Sequence, residues 1–347
     1  MLPYWLLFLI PAVGVFSPEL LDARSRQRVL WLIAVVFTLA IGLRFEVGGD
    51  WYAYLDYLER GSALTFPEVL KRGDPGYYLV NWLVGSLGGS IFWVNGLCGL
   101  VLMAGVIRFA LRQPLPWLAL LVAVPYLIMV VAMGYTRQAT ALGFVLLGLV
   151  ALGDGKLRAF VFWVLIAAAF HKSAVLMIPI AALASGGNRI WVGFWVGLMT
   201  LLGGYLFLFD SADALWTNYV EADYQSSGGF IRVMMNAVPA LLFVLLRNRL
   251  DLKPSESRLW WWMAVLSIVC IPLVLLSSTA TDRVALYLIP IQLFLFARLH
   301  LISNDVFWRS MIVLGVVAYY ALVQFVWLNF AAHAFAWLPY QMIWLVQ

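Results

Sequence analysis

Apolar residues fall along this chain in long runs separated by short polar breaks. Runs cover about 3 to 17, 29 to 45, 76 to 90, 91 to 108, 115 to 133, 136 to 152, 158 to 184, 190 to 209, 231 to 247, 259 to 278, 284 to 300 and 309 to 330. Each approaches the roughly 20 residues that a helix needs to cross about 30 Å of hydrocarbon. The pattern predicts an all-α polytopic membrane protein with about 10–12 transmembrane segments, some of them re-entrant or broken. No stretch is long and polar enough for a soluble domain, and no internal repeat is evident. The expected organisation is one integral-membrane domain over 1–347, with extracytoplasmic polar segments at about 46–75 and 210–230.

Composition agrees and narrows the class. Hydrophobic residues make up 64% and charged residues 11%, against roughly 25% charged in a soluble globular domain. Short alternating strands, the mark of an outer-membrane barrel, are missing. Residues 3 to 16 lack a preceding positive segment and a small-x-small site, so they read as a first span and not a cleaved leader. Cys98 and Cys270 lie inside apolar runs and read as small buried hydrophobes. The net charge of +5 calls for no nucleic-acid partner. Seventeen Trp and fifteen Tyr suit interfacial belts, and some could line a sugar-binding groove.

Basic residues collect in short loops: Arg24, Arg26 and Arg28; Arg108 and Arg112; Lys156 and Arg158; Arg247, Arg249, Lys253 and Arg258; Arg298 and Arg309. The positive-inside rule puts all of these in the cytoplasm. Both termini, the 46 to 75 segment and the acidic loop with Asp210, Asp213, Glu221 and Asp223 are then outside. Strict alternation of twelve spans breaks the rule in the middle of the chain. Keeping it requires 76 to 108 to cross once, broken near Gly85, Gly88 and Gly89, and 158 to 184 to enter and return near His171, Lys172 and Ser173.

The longest interval without a membrane-length run, Arg44 to Tyr78, places Arg44, Asp50 and Asp74 beside the ends of apolar segments. Charges there are costly unless they line a wet, protein-walled cavity. Arg137 and Gln138 open another strongly apolar helix, where free N–H groups and an arginine fork suit an anion such as a pyrophosphate. Snorkelling to the interface is the competing reading for that arginine. His171, with Lys172 and Ser173, interrupts an apolar run and could take a proton from a hydroxyl, or be a satisfied core histidine. Asp282 and Arg283 are neighbours about 100° apart on a helix, so they must face different partners. An N-cap aspartate with an interfacial arginine explains that pair equally simply. Arg232 sits one turn into its span. By topology Arg44, Arg137, Arg232 and Arg283 fall on one face.

Three His without metal spacing, and a single pair of carboxylates at Asp50 and Asp74, argue no metal site, and neither a P-loop nor a GxGxxG is present. No metal or other cofactor is expected.

Several of these pieces together resemble the EpsG family of integral-membrane, Wzy-type polysaccharide polymerases. They are Arg44 with Val47-Gly48-Gly49-Asp50-Trp51-Tyr52 and Tyr54; Asp74-Pro75-Gly76-Tyr77 with Asn81; Arg137-Gln138-Ala139; Phe170-His171-Lys172-Ser173-Ala174; and Arg283 with Tyr287. DPGY stands where EPGY is more usual, which keeps the carboxylate and shortens its reach; the last third of the chain matches thinly. The resemblance implies a bacterial inner-membrane glycosyltransferase working at the periplasmic face in exopolysaccharide, capsule or O-antigen synthesis. Its substrates would be glycans on undecaprenyl or another polyprenyl pyrophosphate, and a flippase and chain-length regulator would be partners in the membrane. The expected base is His171, Asp50 or Asp74. Expected substrate ligands are Arg44, Arg137, Gln138, Lys172, Arg232, Asp282, Arg283 and Tyr287. An O-antigen-ligase-like or other polyprenyl-linked glycosyltransferase is the alternative, and a lipid-linked glycan flippase or transporter the non-enzymatic one.

Overall fold

The computed structural model describes residues 1–17, 22–184, 189–207 and 228–345. Asp210, Asp213, Glu221 and Asp223, and with them nearly all of the expected polar segment at about 210–230, lie outside the described residues. Described residues form helices and connecting turns, with one isolated backbone bridge and no strand. Six helices are long and apolar enough to cross a membrane, and a pair bent by 49° makes a seventh candidate. Five shorter apolar helices accompany them. The protein is an all-α, multi-pass membrane protein.

Contacts group the chain into two compact units. The first holds residues 1–144, 169–171 and 314–347. Its helices are α1 (Leu2–Phe16), α2 (Ala23–Gly42), α3 (Trp51–Ser62), α4 (Phe66–Leu70), α5 (Pro75–Ser86), α6 (Ile91–Ala110), α7 (Pro116–Ala123) and the start of α8 (Thr136–Gly153). Helix α2 packs on α6, and α1 on α7. A Cβ on Gly42, the last residue of α2, would lie 2.8 Å from the Gly96 Cα near the start of α6, so the two helices run antiparallel. Arg24–Arg28 and Arg108–Arg112 therefore share one end of this unit. Arg44 and the α3–α5 segment occupy the other. Helix α5 is 12 residues long and rises about 18 Å, too short to cross, and the chain breaks at Gly88, whose φ of +70° suits glycine. The break expected near Gly85–Gly89 is thus present, and only α6 is span-length between 76 and 108.

Helix α7 continues into nine residues of π-helix, Val124–Ala132, every one of them buried. Pro125 has no N–H to close an ordinary turn there. A segment apolar all round belongs in a core, as the burial of all nine residues shows. Past it, residues 334–343 return as a strap. Trp337 Nε1 donates to the Met129 carbonyl of the π-segment at 3.0 Å, and Gly48 N donates to Ala336 O at 2.8 Å. Tyr4 donates its hydroxyl to Trp337 O at 2.7 Å, and Tyr340 does the same to Ala40 O at 2.7 Å.

The second unit holds residues 145–168 and 172–313. Helix α9 (Leu157–Phe170) ends at His171, and the chain resumes as a 3₁₀ segment, Lys172–Met177, then α10 (Ile178–Ala184) and α11 (Arg189–Phe207). The long run at 158–184 is therefore broken where its polar residues fall. Helix α12 (Gly229–Leu246) packs on α13 (Pro254–Leu276), on α14 (Ser278–Leu286) and on α15 (Pro290–Phe296). Trp260 stacks on Phe294 with ring centroids 4.0 Å apart. A final helix, α16 (Val306–Phe330), closes the sequence of spans, and its residues from Leu314 onward belong to the first unit.

Close helix contact in the first unit depends on absent side chains. A Cβ on Gly143 would lie 2.6 Å from Val101 O and 2.7 Å from Leu102 Cα. Gly143→Val should therefore cost about 1–3 kcal/mol, read as a lower unfolding temperature in detergent. Gly315→Ala, in α16 with nothing within 4 Å, should leave stability unchanged or raise it by about 0.5–1 kcal/mol, with no fall in unfolding temperature.

Candidate functional site

In the first unit the site is built where α8 begins. Arg44, just past α2, is completely buried at 0% exposure, and its guanidinium makes four hydrogen bonds, all to neutral acceptors. Nη1 donates to Ile41 O at 2.6 Å and Nε to Val47 O at 3.2 Å. Nη2 donates to Asn95 Oδ1 at 3.1 Å and Thr136 Oγ1 at 2.9 Å. Its charge also lies 5.9 Å from the Trp51 ring. Burial pulls its pKa down to about 10, which still leaves it charged at neutral pH. With no surface open, Arg44 is placed as an anchor for Asn95 and Thr136 and presents nothing to a ligand.

The next residue along α8 does the opposite. Arg137 keeps 28% of its side chain exposed and pairs through Nη1 with Asp74 Oδ2 at 2.6 Å. Its guanidinium carbon lies 4.7 Å from the Tyr57 ring centroid. Nε is buried without a hydrogen-bond partner, so the fork is incompletely satisfied. Asp74 precedes Pro75 at the start of α5, where the proline ring fixes the first helical turn. Behind the pair, Tyr54, Tyr57 and Tyr77 meet edge to face or tilted at 5.6–6.2 Å between centroids.

Gly76 ties the Asp74 motif to the histidine motif. A Cβ there would lie 2.9 Å from the Phe170 ring and 3.0 Å from Ala169 O. Only glycine lets α5 approach the end of α9, immediately before half-buried His171. Gln138 is buried, and Asp50 is half-buried at the N-cap of α3.

In the second unit Arg232, one turn into α12, forms a bidentate ion pair with Asp282 through Nε and Nη2. Each side chain is largely buried, so the fork and the carboxylate satisfy one another. Arg283 points elsewhere and is exposed, as neighbours on one helix must. Asn236 donates to Ala285 O at 2.7 Å and accepts from Gln292 Nε2 at 2.7 Å, which holds α14 and α15 against α12. Tyr287 is buried, with its hydroxyl 3.5 Å from Ser173 Oγ; Lys172 is half-buried.

Sequence reasoning passed over Asn95, Thr136, Asn236 and Gln292, although an amide or hydroxyl inside an apolar helix is itself a signal of internal pairing. It also passed over Tyr57, whose spacing of three from Tyr54 puts both on one face of α3. Among the described residues no group of three or more His, Cys, Asp or Glu gathers as a metal site would require.

A model of the EpsG family matches residues 28–342 of the 347. The chain belongs to the EpsG family. No curated protein and no solved structure matches it. EpsG membership, with the apolar helices, supports a membrane protein of the polysaccharide-polymerase type.

The two arginines flanking the start of α8 should separate by stability. Lys at 44 has a point charge in place of a planar fork and cannot meet four acceptors, so Arg44→Lys should cost about 2 kcal/mol or more. Arg137→Lys keeps an ion pair with Asp74 and should cost about 1 kcal/mol or less. Thermal unfolding of both variants in detergent checks the ordering.

Proposed function

We propose that this EpsG-family protein is a glycosyltransferase that joins polyprenyl-pyrophosphate-linked oligosaccharide repeat units at the outer face of a bacterial inner membrane. The observation that carries the reading is Arg137: a partly exposed guanidinium at the first turn of a transmembrane helix, held by Asp74 and backed by tyrosines. Helix start and guanidinium together favour an anion. Family membership supports the polymerase class, and the basic loops at the far end of the first unit, assigned to the cytoplasm by the positive-inside rule, support an outward-facing site.

The growing glycan on its lipid pyrophosphate is the donor, and a hydroxyl of a newly delivered lipid-linked unit is the acceptor. The acceptor oxygen forms a bond to sugar C1 as the C1–O bond to pyrophosphate breaks, and the bonding electrons leave with the polyprenyl pyrophosphate. Arg137 meets that charge, with Gln138 beside it. The hydroxyl proton passes to a base. Asp74 already spends an oxygen on Arg137. Asp50, at the N-cap position of α3 without a side-chain capping bond, and His171 are the two candidates for the base. We favour His171 because a neutral imidazole accepts a proton near neutral pH. Within the second unit, exposed Arg283 is a candidate anion ligand and Lys172 and Tyr287 are candidate glycan contacts, while Arg232 and Asp282 act through each other. Guanidinium groups supply the charge stabilisation here, so EDTA should leave turnover intact. A flippase would deliver the units and a chain-length regulator would set when elongation stops.

Purified protein given one lipid-linked oligosaccharide should produce a ladder of lengthened products. Arg137→Gln should lower the rate about 100-fold or more, while Asp74→Glu keeps it within about tenfold. Transfer only after a different acceptor is added would instead establish a ligase.

A further inference from the structure

Four side chains on the α3–α5 segment and α8 stand in a row that the reaction above uses only at one end. Arg137 lies over Tyr57 at 4.7 Å; the Tyr57 and Tyr78 rings meet with centroids 5.3 Å apart at 62°; and the Arg72 guanidinium lies 5.6 Å from the Tyr78 centroid. Both tyrosines are half-buried and Arg72 is exposed. The row has a firm base, since Tyr57 also packs edge-on against fully buried Tyr77 at 5.6 Å. The charges along it are unequal. Arg137 is paired with Asp74, and nearby Arg60 with Asp56 at 2.8 Å. Arg72 makes no ion pair among the described residues, and the Tyr78 ring is its side chain's neighbour.

We infer that this row is a saccharide subsite: a sugar ring packs on Tyr57 and Tyr78, and an anionic substituent on it, phosphate or carboxylate, is held by Arg72. The inference rests on the glycan reading above. Aromatic rings with a polar tip offer an apolar face to the C–H surface of a sugar and a hydroxyl to its edge. Glu68 acts on Arg72 only electrostatically, its carboxylate being hydrogen-bonded to Thr65, and a guanidinium that forms no ion pair has its planar fork available for two oxygens of an anion. An interfacial belt accounts for tyrosines facing headgroups, but it does not account for two of them set ring to ring between two arginines. Nor do α3 and α5 belong to the helices long and apolar enough to cross a membrane.

Binding to the full-length protein in phosphatidylcholine nanodiscs tests this with three probes: glucose, glucuronic acid and glucose 1-phosphate. At least one anionic sugar should bind about tenfold more tightly than glucose. Arg72→Gln should abolish that preference and leave glucose binding unchanged. Tyr78→Ala should weaken all three, and Tyr78→Phe, which keeps the ring, should restore at least the glucose affinity. Preference for the phosphate assigns the anion to the sugar–phosphate end of the lipid-linked unit, and preference for glucuronate assigns it to an acidic sugar within the glycan. Equal binding of all three probes, no binding of any, or a preference that survives Arg72→Gln would overturn the inference. A ladder that persists while the probes fail removes the subsite alone; probes that behave as stated without a ladder leave the subsite and remove the polymerase.

Discussion

Withdrawing an arginine completely from water costs several kcal/mol unless its donors are met, and at Arg44 they are met by four acceptors, two local and two distant in sequence. Two are backbone carbonyls flanking the residue itself. The others belong to α6 and to the first residue of α8, at sequence separations of 51 and 92. The guanidinium thus fixes the start of α8 relative to α2 and α6. Thr136, which it holds, is next to Arg137, which faces outward. One charge is sealed inside so that the following one can be presented.

The same end of the first unit is shaped by what glycine permits. A Cβ on Gly48, at φ +103°, would lie 2.0 Å from Met133 O, and one on Gly134 would lie 2.3 Å from the Trp337 ring. The strap at 334–343 closes on these two positions, and Trp337 spends its indole N–H on a π-segment carbonyl. Backbone contact this close leaves the turn before Arg137 little room to move, which is the preorganisation that the anion-binding role proposed for Arg137 requires.

The apolar runs were legible in the sequence because hydrocarbon thickness imposes a length, although α5 and the broken run at 158–184 show that an apolar run need not fold as one full span. Both breaks were legible too: clustered glycines before α6, and His171-Lys172-Ser173 in the middle of an apolar run. What could not be read was the difference between Arg44 and Arg137. Each is an arginine beside an apolar run, and the local pattern treats them alike. Their fates diverge through Asn95, Thr136 and Asp74, partners brought in by tertiary contact. Arg232 and Asp282 present the same case in the second unit, since two expected ligands prove to be each other's partners. The tyrosines around Arg137 were hidden for another reason, because interfacial belts use the same residues at the same places.

The account stands on a division of labour: Arg137 meets the anion and Arg44 holds the frame. A cryo-electron-microscopy structure with a lipid-linked oligosaccharide bound tests it most directly. The pyrophosphate should lie within hydrogen-bond distance of Arg137, at the end of the first unit opposite Arg24–Arg28, with Arg44 still bonded to Asn95 and Thr136. Pyrophosphate density against Arg24–Arg28 or Arg112, or an Arg44 turned out to meet the ligand, would contradict it.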